Sequence, residues 1–82
     1  MLFGKKKRAK QHLDELWRSM EMACENNYKD LAQEELRDFE RMLEEYNVQG
    51  LVAQEDFGRR QEKLAEKKKE LTGYDHKQHI GW

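Results

Sequence analysis

Apolar and charged positions alternate along most of this chain with the period of a helix. Ala9, Leu13, Leu16, Trp17, Met20, Ala23 and Cys24 recur at steps of three and four, with Asp14, Glu15, Arg18, Glu21 and Glu25 between them. That spacing predicts an amphipathic helix over about 9–25, its stripe broad enough to face a core. A second stripe, Leu31, Ala32, Leu36, Phe39, Met42, Leu43 and Tyr46, predicts a helix over about 28–47. The third is narrower: Phe57, Leu64 and Leu71 fall seven apart with Ala65 beside them, predicting a helix over about 54–72. A seam of that kind suits a coiled-coil strand or a helix laid across two others.

Two junctions separate the stripes. Asn26-Asn27 is poor helix interior but tolerates the left-handed conformation, so a turn is placed there. Asn27 with Asp30 three positions on is the spacing of a capping arrangement for the second helix. Cys24, Tyr28 and Leu31 keep helical spacing through the asparagines, so one continuous helix is the competing reading. The second junction, Tyr46 to Phe57, holds Gly50 followed by Leu51-Val52, and reads as the corner of a helical hairpin. The expected fold is all-α: a small three-helix bundle, or else a long two-helix antiparallel hairpin or coiled coil. Residues 1–8 form a basic N-terminal tip, and 74–82 a C-terminal tail without periodicity after a stop at Gly73.

Composition sharpens the fold class. The 82 residues include no proline and few β-branched side chains, and 40% are charged, so helix is favoured and a sheet is excluded. A core of this size nets only about 3–5 kcal/mol, so partner binding or self-association adds usefully to stability. The net charge of −1 is segregated. Residues 1–12 carry five bases and no acid, residues 13–58 carry four bases and thirteen acids, and residues 59–71 carry six bases and three acids. Cys24 is alone, which excludes an intrachain disulfide. No stretch has signal-peptide or transmembrane character, and a cytoplasmic location is expected.

At the second corner, Leu43, Tyr46, Gly50, Leu51, Val52, Glu55, Asp56, Phe57 and Leu64 resemble the short bacterial helical domain called SHOCT. That pattern joins two short helices by a Gly-apolar-apolar turn, then a cap residue, acids and an aromatic, with a leucine seven residues further on. The resemblance covers roughly residues 40–65. Ala53 departs from it, standing where the family usually has Thr or Ser as the helix cap, a loss that costs about 1 kcal/mol. The resemblance implies a small bacterial interaction or assembly module, with nucleic-acid contact as a further role, and no catalytic residue.

The chemistry points the same way. No Gly-rich phosphate loop, nucleophile elbow or paired-cysteine zinc pattern is present. His76 and His79 are three apart with Asp75 adjacent, but two imidazoles without a fixed third ligand make a weak site. No catalytic residue, metal, cofactor or small-molecule substrate is assigned, and an enzyme is the least expected class.

Three functions compete. The leading one is protein–protein interaction or self-association, a dimer included, through the exposed members of Trp17, Met20, Phe39, Met42, Tyr46 and Phe57. The second is nucleic-acid binding through Lys5, Lys6, Lys7, Arg8, Arg59 and Arg60, opposed by the acidic middle. The third is recruitment to a membrane surface, with Met1, Leu2 and Phe3 dipping into lipid and the following bases facing anionic headgroups.

Overall fold

The computed structural model describes the backbone of residues 2–80 and the side chains of residues 4–71. It is an all-α three-helix bundle: α1 (Leu2–Glu25), α2 (Lys29–Val48) and α3 (Gln54–Ile80). Among the described residues there is no strand.

Two helices run longer than their apolar stripes. The N-terminal tip is the start of α1, and α3 continues past Gly73 into the segment expected as a tail. Lys, Arg, Gln and Glu lose little side-chain freedom in a helix, and without proline a lone glycine, at about 1 kcal/mol, does not stop it. The stripe marks where a helix is covered; it does not mark where the helix ends.

Both corners use one device. Asn27 has φ +62° and Gly50 φ +75°, the left-handed region. Around Asn27, the Asn27 amide donates to the Cys24 carbonyl at 3.1 Å and the Tyr28 amide to the Ala23 carbonyl at 2.8 Å. Around Gly50, its amide donates to the Asn47 carbonyl at 3.0 Å and the Leu51 amide to the Tyr46 carbonyl at 2.9 Å. This is the Schellman closure, which satisfies the last carbonyls of the helix. Asn27 therefore closes α1 and does not cap α2, whose N-cap is Tyr28 with no side-chain hydrogen bond. At α3 the Phe57 amide donates to the Ala53 carbonyl at 2.8 Å, so the alanine begins the helix with its backbone alone.

α2 lies at the centre and packs on both neighbours, whereas among the described residues the α1 and α3 backbones do not meet. The core is Leu13 and Met20 from α1, Leu36, Phe39 and Leu43 from α2, and Leu64 from α3. Burying each such side chain contributes roughly 1.5–3 kcal/mol. Leu31 is an exception to its stripe. It is 46% exposed because the first turn of α2 sits at the hairpin tip, just past the end of α1. A Cβ added at Gly58 would meet nothing within 4 Å, so no backbone approaches there.

Candidate interaction cleft

Because α1 and α3 flank α2 without touching through their backbones, a cleft of about 290 Å³ opens between them. Lys10, Asp14 and Trp17 of α1 form one wall, and Asp56, Arg59, Arg60 and Lys63 of α3 the other. Phe39 of α2 lies beneath. Trp17 packs edge-on against Phe39, with ring centroids 5.0 Å apart at 61°. This geometry favours an aromatic pair beyond its burial alone.

Arg60 ties the walls together. Its Nη1 lies 3.0 Å from Asp14 Oδ1, and its Nε donates to Asp56 Oδ2 at 2.9 Å. Arg59 Nη2 donates to the other oxygen of Asp56 at 3.0 Å. Burial alone pushes the Asp56 carboxyl up, but the hydrogen bonds and charges of Arg60 and Arg59 outweigh it and hold the group below the usual carboxylate range. Burial likewise works against the Arg60 charge, and Asp56 and Asp14 overcome it, so its pKa lies above the ordinary value. The planar guanidinium suits two carboxylates on different helices, which a lysine could not engage in this way.

The structure divides the sequence candidates. Met20 is fully buried and Phe39 is 1% exposed, so neither is available to a partner; both fill the core. Trp17, Met42, Tyr46 and Phe57 are half-buried and packed against that core. The Tyr46 hydroxyl is further engaged with His12 Nδ1 at 2.7 Å. Lys5, Lys6, Lys7, Arg8 and Arg59 are exposed. Arg60 is 9% exposed and committed to two carboxylates, which removes it as a phosphate or lipid contact.

Sequence reasoning missed Lys10, Asp14, Asp56 and Lys63 as members of one cleft. The i,i+4 spacings of Lys10 with Asp14 and of Asp56 with Arg60 were the local signals; the link from Arg60 to Asp14 is visible only in three dimensions. It also missed Tyr28, 61% exposed, beside Leu31 on the opening turn of α2.

Elsewhere, Ser19 Oγ donates to Glu35 Oε2 between α1 and α2, and Glu35 Oε1 is buried with no partner. A smaller hollow between α2 and α3 is lined by Gln33, Leu36, Arg37, Lys68 and Leu71. Among the described residues no group of His, Cys, Asp and Glu is placed to hold a metal. The side chains of His76 and His79 lie outside those residues, as do those of Met1, Leu2 and Phe3. No helix, among the described residues, is long and apolar enough to cross a membrane. Compared with protein-family models, with curated proteins and with solved structures, the chain matches none.

Proposed function

We propose that this chain is a non-enzymatic protein-interaction or assembly module, and that it engages its partner through the α1–α3 cleft. One observation carries the reading: a half-buried indole lies within a concave site whose rim alternates both signs of charge. Aromatic anchors in a pocket with a charged rim are the usual energetic centre of a protein interface. The SHOCT-like reading of the second corner belongs to the same proposal. It is supported by the buried Leu43, Leu51 and Leu64 and by the left-handed Gly50.

Phosphate or lipid contact through Lys5 to Arg8 is the second reading, supported by their exposure. Successive residues on a helix point about 100° apart, so four consecutive bases fan around the axis and do not face one surface together. An anionic duplex or vesicle that gives no salt-sensitive binding removes this reading.

The leading proposal is tested by placing a photo-cross-linking residue at the exposed position 63, on the cleft rim, in growing cells. A control carries it at the exposed position 21, outside the cleft. Adducts of defined mass at 63 and not at 21 are expected. No adduct at 63 removes the cleft as an interaction site.

A further inference from the structure

We infer that the occupant of the α1–α3 cleft is a second copy of this chain, presenting the opening turn of its α2. The inference rests on the cleft being an interaction site and names its partner. What the cleft asks for is specific. Lys10 and Lys63 are exposed on its two walls, and neither is in an ion pair among the described residues. Between them lies the half-buried Trp17. A complementary surface is an apolar knob flanked by carboxylates.

The same chain exposes such a surface. Tyr28 and Leu31 are 61% and 46% exposed, one turn apart at the hairpin tip, with the exposed Lys29 between them in the chain. Asp30 and Glu34 beside them are exposed and, among the described residues, unpaired. Knob and cleft lie at different places along the bundle. From Asp14 to the end of α1 at Glu25 the helix rises roughly 16 Å, so a molecule cannot fill its own cleft with its own knob. Each copy therefore gives a knob and receives one, either reciprocally in a two-fold dimer or head-to-tail in a ring or filament. A nucleic acid fits less well, because Asp14, half exposed, and Asp56 would face its phosphates.

The test is molar mass by light scattering on the full chain, from roughly 10 µM to 1 mM, a span suited to a weak open interface. The wild type is expected to rise above its 10.0 kDa monomer with concentration and to fall back with added salt. Lys10→Glu with Lys63→Glu reverses the cleft, and Tyr28→Ser with Leu31→Ser removes the knob. All four positions are exposed, so both variants keep their helix content by circular dichroism. Each alone is expected to associate at least about tenfold more weakly. An equimolar mixture, holding one sound cleft and one sound knob per pair, is expected to recover association and to stop at the dimer. A wild type that stays monomeric throughout, or a cleft-reversed variant that assembles like the wild type, overturns the inference. If the wild type is monomeric while position 63 cross-links to a different protein, only this inference falls and the cleft remains an interaction site. Neither assembly nor adduct removes both.

Discussion

The seam between α1 and α2 and the seam between α2 and α3 are built from different forces. The first is mostly apolar: Leu13 and Met20 meet Leu36, Phe39 and Leu43. His12 with Tyr46 and Ser19 with Glu35 lie along it as neutral or singly charged hydrogen bonds. Among the described residues, the second receives a single fully buried side chain from α3, Leu64, helped by the half-buried Phe57 and Leu71. Charge supplies the rest, as Lys68 donates to Glu40 at 2.7 Å, while Arg60 ties α3 to Asp14 of α1 across the cleft. Exposed ion pairs contribute only about 0–1 kcal/mol each, so α3 depends on Leu64 and on the half-buried arginine cluster. A tight hairpin carrying a more lightly held third helix explains why the cleft opens where it does.

The sharpest way to break this contrast is to remove one core side chain from each seam. Phe39→Ala takes away the residue shared by the apolar seam and the cleft floor, at about 3–5 kcal/mol. That equals the whole net stability expected of a core this size. The variant is expected to show no cooperative thermal transition by circular dichroism. Leu64→Ala costs about 2–4 kcal/mol and acts on α3 first. Amide hydrogen exchange in this variant is expected to accelerate more in α3 than in α1 and α2. Equal acceleration in all three helices would show that the two seams are one cooperative unit.

The charged cluster comes next in size. Arg60→Met keeps the aliphatic stem and removes the guanidinium, leaving Asp14 without its cation and Asp56 with Arg59 alone. With the partial exposure of these groups taken into account, a loss of about 1–2 kcal/mol is expected in denaturant melts. The pH dependence has a definite sign. The Asp56 carboxyl is held lower in the folded chain than its ordinary 3.8. Its contribution is therefore fully present above the ordinary carboxylate range and is lost as pH falls through the folded value. Melting temperature should decline more steeply in wild type than in Asp56→Asn as the solution passes from about pH 5 to pH 2. Identical acid profiles would mean that the cluster does not hold α3.

Much of this architecture is legible in the residues. The broad stripes of α1 and α2 name Leu13, Met20, Leu36, Phe39 and Leu43, and all five are in the core. The narrow stripe of α3 already signals a helix with little to bury, and Leu64 is its one fully covered member. Arg60 was not legible as a structural residue. It stands in a run of bases that reads as a solvated or phosphate-binding face, and its burial depends on Asp14, forty-six positions away. Leu31 failed for the opposite reason: it has helical spacing, but periodicity does not say that the partner helix has already ended. The cleft was invisible because it comes from two helices that do not pack together through their backbones.

The two corners give the smallest and cleanest test of that lesson, since they share one geometry and differ in the residue that adopts it. Gly50 sits at φ +75° without strain, and a Cβ there would meet nothing within 4 Å. Any cost of Gly50→Ala is therefore conformational, about 1–2 kcal/mol for an ordinary side chain in the left-handed region. Asn27, at φ +62°, already bears part of that cost, softened by the tolerance of asparagine for this region. Asn27→Gly relieves the strain but raises the entropy of the unfolded chain, two effects of opposite sign and similar size. The net expectation is a gain of about 0.5 kcal/mol or less, seen as a small rise in melting temperature. If Gly50→Ala instead costs no more than Asn27→Gly gains, the corners do not set the register of the bundle. The seams alone would then determine where the helices turn.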